Sequence, residues 1–304
     1  MKESIKKYFK IGLVHFMAYP DCMKGQGPLL ETFKKIAVDD YFDAIEITHI
    51  QSKEMRDQSK KLLETSYLEV FYGAQPRLLG KGLNPNHTDE KERIKAEAEL
   101  FDALDEAHQM GAKGMAFLSG KWEETTKEQA FQMLKKTTKN ICDYAKIKDM
   151  NVNLEVFDYD FDKASLIGPA PLAARFAAEM REITTNFGLL VDLSHIPQTY
   201  ESSQFVIRTL SPYINHFHIG NVVMGASDNE AYGDTHPRFG FPKSVNGLPE
   251  MVAFLRVLKE EGFFCPENPY VMSFEVKPWK DEDPDVVLAN AKRLLNRAWA
   301  VLEG

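Results

Sequence analysis

Cysteine is scarce: Cys22, Cys142 and Cys265 are the only three in 304 residues. An odd number at wide spacing makes no disulfide framework and fits a reducing compartment, so the expected location is the cytoplasm. Long hydrophobic runs are missing too. No apolar stretch approaches the roughly 20 residues of a membrane helix, and the polar start over 1–10 lacks the apolar region of a signal peptide. The reading is a protein neither exported nor held in a membrane. A basic block is also absent; 37 Lys and Arg stand against 45 Asp and Glu, a net charge of −8. Nothing here tracks a phosphate backbone, which excludes nucleic acid as the main partner. There is no low-complexity tract and no linker.

What the chain does have is alternation. Short β-forming runs recur at Ile11–Met17, Phe42–Thr48, Tyr67–Tyr72, Gly114–Leu118, Val152–Phe157, Leu189–Leu193, Ile214–Ile219 and Val271–Val276. Helix-length segments separate them. Glu90–Met110 sets Ile94, Leu100, Leu104 and Ala107 at helical spacing, with Gly111 as the stop. Lys127–Lys146, Pro171–Thr184, Pro249–Glu261 and Pro284–Leu302 read similarly, several opened by a proline suited to a first turn. Eight strand–helix units favour an α/β fold closed as a single (β/α)8 TIM barrel over 1–304, because closure needs that count and leaves no edge. The irregular stretches Gln75–Asn86, Asp158–Ala170 and Asn221–Gly247 follow strand ends, where a barrel builds its active site.

Four of those strand ends carry metal-ligand types: Glu155, Asp192, His218 and Glu275. Consecutive strand ends lie side by side in a barrel, so the four can converge from distant parts of the chain. One buried Glu or His is commonly satisfied by hydrogen bonds. Four on successive strands are another matter, since clustered carboxylates repel unless a cation or proton compensates. Three carboxylates and one imidazole suit a single divalent ion, Mn²⁺ before Mg²⁺ or Co²⁺, better than a structural Zn²⁺ site.

With these residues the chain resembles the xylose isomerase-like barrel superfamily, which includes ketose 3-epimerases, hydroxypyruvate isomerase-like enzymes and endonuclease IV. The resemblance implies that Glu155, Asp192, His218 and Glu275 hold one metal. The Asp-x-x-His spacing of Asp192 and His195 is also similar to the family's, implying that His195 contacts substrate. Gly233-Asp-Thr-His-Pro-Arg-Phe-Gly240 resembles the superfamily's Gly-Asp-x-His loop. In the nuclease branch such a pair binds a further metal; a structural or substrate-binding role for Asp234 and His236 is the preferred expectation here. Arg238 and Lys277 are further candidates to grip substrate oxygens, Arg238 through its donor fork or else in a surface salt bridge.

Of His216 and His218, only one is expected to enter the barrel mouth, with His216 packed against a helix. His15 and Glu46, on the first two strands, either line the pocket or are buried and paired. Trp122, Trp279, Phe16 and Phe157 are candidate apolar walls.

The expected activity is a metal-dependent sugar isomerase or epimerase. Proton removal beside a carbonyl leads through an enediolate, with Glu155 and Glu275 as catalytic carboxylates. Two opposed bases give epimerisation; transfer between neighbouring carbons gives an aldose–ketose isomer. The loops Phe217–Asn221, 233–240 and Phe274–Pro278 also resemble the catalytic subunits of C-glycoside deglycosidases. That likeness implies a lyase acting on a 3-keto glycoside together with a smaller partner subunit. A non-catalytic sugar-binding barrel is the third reading. The expected partners are thus a sugar or glycoside, and either further copies of the chain or a smaller subunit.

Overall fold

The computed structural model describes residues 3–302. Eight strands run β1 (Phe9–Leu13), β2 (Ala44–Ile47), β3 (Glu69–Gly73), β4 (Gly114–Leu118), β5 (Asn151–Val156), β6 (Phe187–Asp192), β7 (Ile214–Gly220) and β8 (Tyr270–Glu275). They pair in parallel in the order β1-β8-β7-β6-β5-β4-β3-β2, the expected (β/α)8 barrel. The seam between β1 and β2 is held differently: Val14 bridges Glu46, the Asp43 N–H donates to the Ile11 carbonyl at 2.7 Å, and the Asp43 carboxylate accepts from the Ile11 N–H at 3.1 Å. A side chain here completes a ladder that the backbone leaves short.

Helices follow the strands: α1 (His15–Ala18), α2 (Leu29–Ala37), α3 (Lys53–Ser66), α4 (Gln75–Lys81), α5 (Glu90–Gln109), α6 (Lys127–Ile147), α7 (Ala170–Arg181), α8 (His195–Gln198), α9 (Ser203–Leu210), α10 (Leu248–Glu260) and α11 (Pro284–Val301). Side-chain caps open several, as when Ser52 accepts from the Met55 N–H and Asp283 from the Asp285 and Val286 N–H groups. Gly111, at φ +77, ends the turn after α5 in the left-handed region that glycine enters without penalty.

Four expectations are corrected. The first strand begins at Phe9 and ends at Leu13; the apolar run Val14–Met17 instead turns into α1, a choice that hydrophobicity alone cannot make in so short a segment. Tyr67 is no strand residue: with φ 64 and 97% exposure it caps α3, and β3 starts at Glu69. Gln75–Asn86 is not wholly irregular, since α4 occupies its first half. On α5, Ile94 is half-exposed, and the inward face is Ala96, Leu100, Ala103, Leu104 and Ala107. The fully buried Arg93 pairs with Glu90 and Glu97 of its own helix and joins it to α6 through Thr137.

His216 also departs from expectation. It does not pack against a helix, because residues two apart on a strand share a face. His216 and His218 both point into the barrel, ring centroids 5.4 Å apart, while Phe217 between them packs outward on Phe254 and Phe263.

Candidate metal centre and sugar site

Asp192 and Glu275 are the last residues of β6 and β8, Glu155 and His218 stand one and two residues before the ends of β5 and β7, and one ligand atom from each lies within 4.8 Å of all the others. All four are at least nine-tenths buried. His218 Nδ1 is 2.6 Å from Glu275 Oε2 and 3.7 Å from Glu155 Oε1. Its Nε2 meets both oxygens of Glu46 at 3.0 Å. Glu46 Oε1 also meets His216 Nε2 at 2.7 Å. Glu46 and His216 therefore form a buried polar support directly behind His218; Glu46 is both paired and part of the cavity lining.

Gln75, at the start of α4, donates to Glu155 Oε2 at 2.6 Å. Glu155 Oε1, by contrast, is buried without a hydrogen-bond partner, as are His195 Nε2, 3.4 Å away, and Gln75 Oε1. His195 is oriented by Gln198 Oε1, 2.6 Å from Nδ1, and packs its ring on Phe157 at 4.2 Å. Asp192 is fixed by Ser194, whose N–H and hydroxyl donate to its two oxygens at 2.8 and 2.6 Å. His236 holds a left-handed backbone, φ 50, and lies 2.7 Å from Asp234 Oδ1, 3.6 Å from Asp192 Oδ2 and 3.8 Å from Glu275 Oε1. Lys163 reaches Asp234 at 3.2 Å from the loop after β5, a loop wound around Asp158, whose carboxylate accepts four backbone N–H groups.

The electrostatics follow from this packing. Burial works to raise Glu155, yet His195 and His218 hold it down at about 2. Burial dominates at Glu275, which stays above the ordinary carboxylate range despite His236 and His218, with Glu155 adding to the rise. Burial would discharge His218, but Glu46 and Glu275 keep it well above the usual imidazole range. His236 opposes its burial through Glu275 and Asp234 and reaches about 9. The centre is a concentration of carboxylates held by imidazolium charge, and partnerless buried oxygen is what a cation would satisfy. Three carboxylates, one imidazole and an orphaned oxygen thus fit a hard divalent ion. A second set, Asp192, His195 and His236, has ligand atoms equally close.

A cavity of about 740 Å³ opens over the centre, lined among others by Glu46, Gln75, Glu155, Phe157, Lys163, His218, Asp234, His236, Glu275 and Lys277. Phe16 and Phe157 line it as expected. Arg238 does not: its Nε donates to Glu282 Oε1 at 2.6 Å. Trp122 stacks on Tyr159, and Trp279 bonds Glu230, both outside the lining. Gln75 and Lys163 escaped the sequence reading; their only signal is position just after β3 and in the loop after β5.

The fold and site define a (β/α)8 barrel with an acidic, histidine-containing centre at the carboxyl ends of its strands. The family model described as xylose isomerase-like TIM barrel matches residues 35–296, and the chain belongs to that family. No curated protein sequence matches it. Among solved structures it is similar to a D-tagatose 3-epimerase-like protein at 19% identity and a TM-score of 0.70, covering 97% of this chain and 100% of that one. An L-ribulose 3-epimerase aligns at 16% identity and TM-score 0.71, covering 96% of each chain. The 3-keto-D-glucoside 4-epimerase YcjR from E. coli aligns at 14% and 0.66, covering 95% of this chain and 99% of that one. At these identities the likeness establishes the fold.

Proposed function

We propose that the protein is a divalent-metal-dependent sugar isomerase or epimerase of the cytoplasm, with Mn²⁺ the preferred ion. The observation that carries this reading is the convergence of Glu155, Asp192, His218 and Glu275 in one buried cluster beneath a large cavity. The epimerases among similar folds support it, while elimination from a C-glycoside draws no support from them. The unpaired Cys22, Cys142 and Cys265 suit a reducing compartment.

Glu155, Asp192, His218 and Glu275 would hold the ion, which when bound supplies the positive charge that makes an enediolate accessible. The chain's own groups do the rest. Gln75 donates to Glu155 Oε2 and so fixes the carboxylate that would both hold the ion and accept a carbon-bound proton. Glu275 lines the same cavity from β8 and would return the proton. His195 Nε2, 3.4 Å from Glu155 Oε1 and without a hydrogen bond, would bond a substrate hydroxyl brought to the centre. His236, Asp234 and Lys277 line the same cavity and would orient the sugar. Arg238, engaged with Glu282, would act at most by supporting the loop over 233–240.

The test is to load the protein with Mn²⁺, incubate it with a panel of ketoses and keto-glycosides, and separate the products. New stereoisomers or aldose–ketose isomers that vanish after chelation and return with metal are expected; a metal-loaded protein inert on the whole panel contradicts the reading.

A further inference from the structure

Two loops meet at one side of the cavity. The loop after β5 turns around Asp158, whose carboxylate accepts the N–H groups of Phe161, Asp162, Lys163 and Ala164 at 2.7–3.0 Å. The loop after β7 reaches it over 232–234. Tyr232 packs on Phe161 with ring centroids 4.7 Å apart, and the Asp234 N–H donates to Asp162 Oδ2 at 2.9 Å. Gly233 permits the approach: its φ is +106, and a Cβ there would lie 3.0 Å from Asp162 Oδ2.

Lys163 stands at this junction. Its Nζ donates to Asp162 Oδ2 at 2.8 Å and lies 3.2 Å from Asp234 Oδ2, so it meets one carboxylate from each loop. Burial works to discharge it, but Asp234 and Asp162 keep it above the ordinary ammonium range. An ammonium has three hydrogens, and these two carboxylates take two. Lys163 and Asp234 both line the cavity, where the third hydrogen can serve a bound molecule. Asp234 supplies the complement: its Oδ1 is buried without a hydrogen bond, although His236 Nε2 is 2.7 Å away. The same His236 nitrogen is 3.8 Å from Glu275 Oε1, so one imidazole separates this pair from a carboxylate that would move the proton.

A donor and an acceptor left over side by side describe their ligand. A hydroxyl gives one hydrogen bond and accepts another, and so answers both. A carbonyl or ring oxygen only accepts, which would leave the buried Asp234 Oδ1 unsatisfied. A phosphate or carboxylate would meet Lys163 but also Asp162 and Asp234, and two acids outweigh one ammonium.

We propose that Lys163 and Asp234 together recognise one neutral hydroxyl of the sugar, away from the carbon that loses its proton, and so determine which hydroxyl configuration the site accepts; the inference rests on the enolising-sugar reading of the centre. The two groups come from different strands and are fixed to each other by the clasp through Asp162. Inverting that hydroxyl removes it from both at once.

Isothermal titration of the Mn²⁺-loaded protein with two series of probes tests this: D-fructose with D-psicose, D-tagatose and L-sorbose, and methyl α-D-glucopyranoside with its manno, allo and galacto epimers. Within a series each sugar differs from the first by inversion at one carbon. In at least one series, one member should bind about tenfold or more tightly than a single-inversion partner, the scale of hydrogen bonds to charged groups. Lys163→Met should cut that preference to about threefold or less by weakening the preferred sugar alone, and Lys163→Arg, which keeps charge and donors, should retain more of it. Asp234→Asn should also cut the preference, and the double variant should be no worse than either single one, because both groups serve one hydroxyl. Mn²⁺ content and thermal melting report an intact fold; Asp234→Asn, which leaves the lysine in place, gives the reading if Lys163→Met fails to fold. A wild type without preference in either series, a preference untouched in both single variants, or an equal weakening of every sugar, the mark of a merely structural clasp, would overturn the proposal. Failure of the underlying reading has a different signature: no hydrogen exchange at carbon in any keto sugar, with the preference and its loss in the variants intact.

Discussion

Glu46 on β2 meets His218 on β7 across the barrel, both carboxylate oxygens standing 3.0 Å from Nε2. The contact fixes the ring and directs Nδ1 at Glu275 and Glu155. A histidine whose second nitrogen is held by a carboxylate is a better ordered and more basic metal ligand. Replacing Glu46 by Gln keeps the shape but removes the charge. Mn²⁺ affinity should fall about 10–100-fold, the usual cost of losing such a partner. Metal titration against a chelating indicator measures it, and an unchanged affinity would show that Glu46 serves packing alone.

Asp192→Asn and His218→Ala remove proposed ligands from strand ends outside the packed layers of the barrel. Each should lower metal occupancy by tenfold or more at limiting Mn²⁺ while leaving the far-ultraviolet circular dichroism spectrum unchanged. Elemental analysis after gel filtration reads the outcome. Full occupancy in both variants would take these residues out of the centre.

The barrel was legible because its strands are short and apolar and its helices long and periodic. The cluster of Glu155, Asp192, His218 and Glu275 was legible because acid and imidazole side chains at strand ends are costly unless used. What was hidden depended on packing across the fold. Gln75 carries no distinctive chemistry and gains its role only because α4 brings it within 2.6 Å of Glu155. Glu46 could be read as lining or as paired, and only the barrel's curvature shows that it is both. The inward direction of His216 was available from strand periodicity, which puts it on the same face as His218. Arg238 illustrates the converse: its donor fork is suited to substrate, but Glu282 lies closer.

His15 offers a pH test away from the centre. It is buried on α1 with its Nε2 2.8 Å from the Thr32 hydroxyl, and burial depresses it to about 3. The Thr32 hydroxyl has the Pro28 and Leu29 carbonyls to donate to, so the imidazole can serve as donor while neutral. The unfolded chain takes up a proton near pH 6.5 and the folded one does not, so this contribution is complete above 6.5 and declines as pH falls toward 3. Between pH 7 and pH 5 the loss should be about 2 kcal/mol. Urea unfolding at both values should show a smaller pH-dependent loss for His15→Phe than for the wild type, by about that amount. Identical pH dependence would mean that His15 is protonated in the folded state.

The central claim is that Glu155 and Glu275 move a proton at a sugar carbon. Each Glu→Gln variant keeps an oxygen ligand but loses the base, so turnover should drop about 10²–10⁴-fold with a much smaller change in KM. The most direct measurement is proton magnetic resonance of the two stereoisomers of the identified substrate, incubated separately in deuterium oxide with the Mn²⁺-loaded wild type and with each variant. The account predicts exchange of one carbon-bound hydrogen in both isomers by the wild type. For a two-base epimerase, exchange should be lost from one isomer in Glu155→Gln and from the other in Glu275→Gln. Full exchange of both isomers by both variants would contradict it, removing the two glutamates as bases.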